Sequence, residues 1–172
     1  LSGYRVRRVS CSYYHSIVVC EDNKVFGYGR NDYGQLGLGH NEDKLRPQAI
    51  PFFDGLRIND VACGQYHTLV SAGQDGVFAF GKNDYGQLGM SRQEPRWTPV
   101  HVSGISEKVV LSSGGNSGNV ETGNSTSSPS GGTAFEDNAQ AIRIACGYYY
   151  HSMVLRRDGS VFTFGRNDYG QL

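Results

Sequence analysis

The sequence has no excess of charge of either sign, no long apolar run, little methionine or tryptophan, and only four cysteines. Its 16 basic and 16 acidic side chains give a formal net charge of zero. That removes the bulk attraction to nucleic acid or to an acidic membrane surface, which needs an excess of Lys and Arg. Arg5, Arg7 and Arg8 form a small basic group that fits a solvated strand face. No stretch approaches the roughly 20 apolar residues of a membrane-spanning helix. The first ten residues, LSGYRVRRVS, contain no apolar core of a secretion signal. Cys11, Cys20, Cys63 and Cys146 are too sparse for a disulfide scaffold, so a reducing intracellular compartment, cytoplasmic or nuclear, is expected. No paired carboxylates and no His-Glu-x-x-His pattern occur. GYGRNDYG (27–34) is followed by neither Lys-Ser/Thr nor a helical pattern, so it is not a phosphate loop. No catalytic residue, cofactor or metal is expected.

What the chain has is glycine, tyrosine and repetition. It holds 24 glycines and 11 tyrosines. NDYGQL occurs three times, at 31–36, 83–88 and 167–172. The first two copies are 52 residues apart and the next two 84 apart, so the second interval carries about 32 extra residues. Upstream of each copy lies a related stretch: VSCSYYHSIVV, VACGQYHTLV and IACGYYYHSMVL. His15, His67 and His151 each precede their Asn by 16 residues. A fixed period near 50 residues marks a repeat architecture. Each unit carries an apolar alternation after its His, then a turn (EDNK, GQDG or RRDG), then VFGYG, VFAFG or VFTFG. Asp-Gly between alternating runs is a hairpin signal, and helical periodicity is absent. NDYGQL therefore follows a strand. Asn31, Asn83 and Asn167 can close a turn onto the backbone. Gly34, Gly86 and Gly170 can take positive φ, and Leu36, Leu88 and Leu172 can plug the gap beneath the loop. Gln35 and Gln87 can satisfy loop amides and carbonyls.

The pattern Cys-Gly-x-Tyr-His-Ser/Thr, then a Asp-Gly turn, then FG-R/K-NDYGQLG resembles the repeat of the regulator of chromosome condensation family. It is carried by Cys63-Gly64, His67-Thr68, Asp75-Gly76, Phe80-Gly81 and residues 83–89, and it recurs within 11–39 and 146–172. Kelch repeats share the period, but their paired glycines should recur at a fixed place, and here both pairs fall in the insertion. The resemblance implies an all-β fold: a partial β-propeller of about three blades, each a four-stranded antiparallel sheet, belonging to a seven-bladed propeller. The repeat segments are 1–40, 41–92 and 93–172. Without the insertion the chain holds about 2.7 periods. It is expected to be a fragment of a larger protein, or a half-ring completed by self-association through open blade edges. Residues 112–140, rich in Ser, Gly and Asn, are expected to be a disordered loop between an outer strand near 109–111 and an inner strand at 142–146. Within it, Asn124 begins a glycosylation sequon, which an intracellular protein would not use, and Ser128-Pro129 fits a phosphorylation site.

Cys11/His15 and Cys63/His67 share a Cys-x3-His spacing. One such pair per repeat, with equivalents expected to stand apart, does not gather four zinc ligands. Three equivalent nucleophiles would be redundant, so the thiols are expected to pack as small apolar groups and the histidines to bond backbone between blades. The residues expected to meet a partner are Tyr14, His15, Tyr66, His67, Tyr150 and His151, flanked by Tyr13, Tyr148 and Tyr149. The resemblance implies a non-catalytic protein-interaction scaffold with a protein partner. It also implies an alternative, guanine-nucleotide exchange on a Ran-type small GTPase. The family's ultraviolet-sensing members use clustered tryptophans, and this chain has Trp97 alone.

Overall fold

The computed structural model describes residues 1–105 and 141–172. The repeats fold into antiparallel sheets whose strand order follows the chain. The first sheet holds β1 (Val6–Cys11), β2 (His15–Cys20), β3 (Val25–Gly29) and β4 (Lys44–Ala49). The second holds β5 (Asp60–Cys63), β6 (His67–Ser71), β7 (Val77–Gly81) and β8 (Arg96–His101). The third, among the described residues, holds β9 (Ala141–Cys146), β10 (His151–Arg156) and β11 (Val161–Gly165). The outer strand of the second sheet is thus β8. The strand expected near 109–111, the disordered loop, the sequon and Ser128 all lie outside the described residues. Among the described residues no helix is long and apolar enough to cross a membrane.

The sheets stack face to face, and strand alternation sends successive side chains to different neighbours. On the second sheet, Val61, Val70, Phe78 and Phe80 meet Ile17, Val19 and Val25 of the first. Their sequence neighbours Ala62, Leu69, Val77 and Ala79 meet Ala141, Ile144 and Val154 of the third. This is why every residue of β6 and β7 is buried while β1 is largely exposed. Each Val, Leu, Ile or Phe among them taken wholly out of water contributes about 1.5–3 kcal/mol. The link from the first sheet to the second joins the same core. A short 3-10 turn, Pro51–Phe53, drives Phe53 against Phe78 and Phe80, and Ile50 and Ile58 are buried beside it.

The inner strands β1, β5 and β9 run side by side. The Cys63 thiol donates to the Ser10 carbonyl and the Cys146 thiol to the Ala62 carbonyl, each at 3.4 Å. Burial pushes the Cys63 thiol up to about 12, its bond to Ser10 works against that, and Cys11 adds to it, so the thiolate form is disfavoured. The Arg7 guanidinium lies across the sheet end, donating to the Asn23 side chain and the Ile58 carbonyl at 2.9 and 2.7 Å.

One glycine per repeat is required by geometry. Gly29, Gly81 and Gly165 end the third strand of each sheet with φ of 108°, 105° and 113°. A Cβ at Gly29 would lie 2.5 Å from the Tyr14 carbonyl oxygen, and the Tyr66 and Tyr150 carbonyls stand as close to the other two. The close approach lets those carbonyls accept the amides of Arg30, Lys82 and Arg166, all at 2.9 Å. So the Phe-Gly step fixes where the following basic residue starts.

Candidate protein-interaction face

The three NDYGQL corners are built alike. The Asn31 side-chain oxygen accepts the Leu36 amide at 2.9 Å, and its nitrogen donates to the His40 and Glu42 carbonyls at 2.8 and 3.1 Å. Asn83 accepts from Leu88 at 2.9 Å and donates to Arg92. Asn167 accepts from Leu172 at 3.0 Å. Gln35, Gln87 and Gln171 each accept the Tyr amide two residues earlier, at 2.9, 3.0 and 2.9 Å. Gly34, Gly86 and Gly170 have φ of 80°, 74° and 74° and donate to the Asn carbonyls. Leu36 and Leu88 are fully buried, whereas Leu172 is exposed.

The corners are tied to the next sheet through a side-chain chain. Thr68 donates its hydroxyl to the Gln35 carbonyl at 2.8 Å. It must therefore accept from His15 Nε2–H, 2.7 Å away, which assigns the tautomer and leaves Nδ1 to accept from the Ser12 hydroxyl at 3.0 Å. One repeat on, Ser152 donates to the Gln87 carbonyl at 2.8 Å and accepts from His67 Nε2–H at 3.0 Å. The histidines thus reach backbone through a hydroxyl of the neighbouring sheet, and not directly as expected. Burial lowers His15 to about 4 and His67 to about 3, the latter helped by the neighbouring His15 and His151. Both rings are neutral.

Above these bonds the tyrosines form a ladder across the sheets. Tyr14 stacks on Tyr66 at 4.9 Å, Tyr66 on Tyr150 at 6.3 Å, and Tyr150 on Tyr85 at 5.3 Å, with interplanar angles of 19°, 15° and 15°. Cations sit over the rings. Arg30 lies 4.9 Å from the centroid of Tyr14 and 5.4 Å from that of Tyr66. Lys82 lies 4.7 Å from Tyr33, 5.7 Å from Tyr66 and 5.2 Å from Tyr150, and Arg166 lies 5.0 Å from Tyr85. Each cation is paired with the aspartate two residues on: Arg30 with Asp32, Lys82 with Asp84, Arg166 with Asp168. The ladder is thereby locally neutral.

Of the six residues expected to meet a partner, Tyr14, Tyr66, Tyr150 and His151 are partly exposed, whereas His15 and His67 are buried within the sheet contacts. The exposed margin is made by Tyr13, Tyr148 and Tyr149, at 75%, 46% and 59% exposure. The sequence reasoning missed Tyr33, Tyr85 and the three cations. Their signal was present: the Arg or Lys before each NDYGQL and the Tyr within it recur with the same period.

Comparison with known proteins agrees with the repeat. The model of the regulator of chromosome condensation (RCC1) repeat matches residues 22–71 and 74–120, and a second of the same description matches 6–35, 58–87 and 141–171. Across 100% of its length the chain is 32% identical to mouse (Mus musculus) "Probable E3 ubiquitin-protein ligase HERC4", of which it spans 13%. It is 31% identical over its whole length to "Ultraviolet-B receptor UVR8" of Arabidopsis thaliana, spanning 32% of that protein. The solved structure of Prp20p from Saccharomyces cerevisiae, described with its binding to Gsp1p and histones, superposes with a TM-score of 0.69. There 16% of residues are identical, over 95% of this chain and 34% of Prp20p.

Proposed function

Because the chain belongs to the regulator of chromosome condensation repeat family, with its sheets stacked as successive β-propeller blades, we propose that it is a non-catalytic protein-interaction scaffold. In this reading it works as part of a larger intracellular protein and meets its partner with the tyrosine face. The observation that carries the reading is the ladder of Tyr14, Tyr66, Tyr150 and Tyr85, whose exposed margin is Tyr13, Tyr148 and Tyr149. Partner-binding energy concentrates in tyrosine, tryptophan and arginine held in place before contact. Tyr13 is already packed against Tyr14 and Tyr148 against Tyr149, so these rings lose less freedom on binding. The loops that carry them are set on rigid sheets, the usual seat of recognition.

The test is capture of partners from cell extract with the wild-type chain and with a triple variant, Tyr13→Ala, Tyr148→Ala and Tyr149→Ala. A Leu45→Ala control changes a residue 97% exposed outside the ladder. The expected result is a set of proteins retained by the wild type and by the control and lost from the triple variant. The same set on all three would overturn the reading. For the alternative, exchange on a Ran-type GTPase, release of fluorescent GDP is expected to proceed no faster with micromolar chain than without it.

A further inference from the structure

The ladder shows by its own construction what its free rings accept. Inside it, cations lie over tyrosine faces: Arg30 against Tyr14 and Tyr66, Lys82 against Tyr33, Tyr66 and Tyr150. Each of these cations also has its own aspartate, so none is left over to draw in an acidic partner. At the margin the pattern stops. Tyr13 touches Tyr14 edge-on at 4.7 Å and 72°, and Tyr148 touches Tyr149 edge-on at 4.7 Å and 85°. Among the described residues no cation lies over the ring of Tyr13, Tyr148 or Tyr149. The three rings are exposed at 75%, 46% and 59%.

The rings come from two sheets: Tyr13 lies between β1 and β2, and Tyr148 and Tyr149 lie between β9 and β10. Gln65, on the loop between them, donates to the Tyr148 hydroxyl at 3.2 Å. The Tyr148 hydroxyl is pushed up from its ordinary range by partial burial first, then by Tyr14, Tyr149, Tyr13 and Tyr150 around it. The charges alongside cancel in pairs and favour neither sign. Asp84 and Asp168 leave about half of their side chains exposed beside Tyr85 and Tyr169. At the margin itself a ligand meets aromatic rings and phenol oxygens, which are electron-rich and favour a cation.

We propose that the margin formed by Tyr13, Tyr148 and Tyr149 takes an arginine-bearing segment of a protein partner, each guanidinium stacking on a free tyrosine face as Arg30 does on Tyr14. This rests on the reading of the tyrosine face as the interaction face and adds the partner's chemistry. Arginine fits better than lysine because its guanidinium is planar, weakly hydrated and can stack while donating to phenol or carboxylate oxygens.

The experiment is fluorescence anisotropy with the full chain and a labelled peptide of alternating glycine and four arginines. The same peptide with citrulline in place of arginine keeps the shape and loses the charge. A proline-rich peptide of equal length is run beside them. Expected is binding of the arginine peptide at least about tenfold tighter than the citrulline peptide, which corresponds to about 1.4 kcal/mol. Tyr13→Leu, Tyr148→Leu and Tyr149→Leu together should abolish the difference. Their circular dichroism and melting temperature should match the wild type, because all three rings are exposed. Equal binding of the arginine and citrulline peptides overturns the proposal, as does unchanged binding by the leucine variant. Preference for the proline-rich peptide also overturns it while leaving the interaction face standing. If cell-extract capture also ignores the tyrosines, both readings fall together.

Discussion

Asn31, Asn83 and Asn167 hold identical corners, but the surroundings differ, and that difference makes a test. Asn83 is fully buried, its oxygen accepting the Leu88 amide and its nitrogen donating to the Arg92 carbonyl. Asn83→Ala strands a buried amide and a carbonyl, and each such group costs about 1–3 kcal/mol. The expected loss is about 2–4 kcal/mol, read as a lower urea midpoint at unchanged slope. Asn167→Ala breaks the equivalent bond to Leu172 in a corner that is largely exposed, so water replaces the asparagine. Its expected cost is below about 1 kcal/mol. This corner was legible in the sequence, because a turn that must be closed by a side chain and opened by glycine restricts the letters allowed. Ser12 was not legible. It bonds His15 Nδ1, while Gly64 and Gly147 take that position in the other repeats, with no room for a Cβ against the histidine ring. Among the described residues Nδ1 of His67 and of His151 has no partner. Repetition reveals what repeats share; it is silent on a role that one copy alone fills.

Between sheets, the contact is a packed apolar layer with one polar chain through it. Thr68 is the pivot, accepting from His15 and donating to Gln35. Thr68→Val keeps the shape, removes the hydroxyl and leaves an imidazole N–H and a carbonyl unpaired at a buried site. We expect a loss of about 2–4 kcal/mol by urea unfolding, with Thr68→Ser much nearer the wild type. The histidines also give the contact a pH dependence. Burial holds His15 at about 4 and His67 at about 3, whereas an unfolded histidine titrates near 6.5. Between these values the unfolded chain binds more protons than the folded one. Stability is therefore full above about pH 6.5 and falls as the pH drops toward 4, at up to about 1.4 kcal/mol per unit for each histidine. Urea midpoints at pH 7, 6 and 5 measure the slope, and His67→Gln should reduce it by about half. A midpoint constant from pH 7 to 5 would contradict the assignment of neutral buried rings. The strands were legible because alternation and Asp-Gly turns are local signals. Which face of each strand meets which sheet was not, since it depends on the stacking order of whole repeats. The pairing of histidine with a hydroxyl about 53 or 85 residues later is equally non-local.

Among the described residues the stacked sheets leave two outer faces, and they are complementary by the same rule that stacks the sheets internally. On the third sheet, Met153, Val161 and Leu172 are exposed at 39%, 53% and 42%. They occupy the repeat positions of Leu69, Val77 and Leu88, which are buried in the contact between the second and third sheets. The half-buried His151 has no hydroxyl opposite it among the described residues. The first sheet offers the matching half. Ser16 follows His15 as Thr68 follows His67, and Val9, 70% exposed, stands where Val61 is buried against the first sheet. The first sheet of one copy can therefore cover the third sheet of another, with Ser16 serving His151. Such a contact joins unlike faces, so it repeats from copy to copy and stops only if the turn closes a ring. The isolated 172-residue chain is expected to associate as its concentration rises, and sedimentation velocity from micromolar to hundreds of micromolar measures this. Met153→Glu puts a charge in the centre of the proposed contact and should shift the chain toward monomer with little change in its melt, since the side chain is already partly exposed. Gln65→Ala, on the tyrosine face, should leave association unchanged. A monomer at every concentration would mean that the exposed face of the third sheet is not covered by a second copy. Association unaffected by Met153→Glu would place the contact elsewhere.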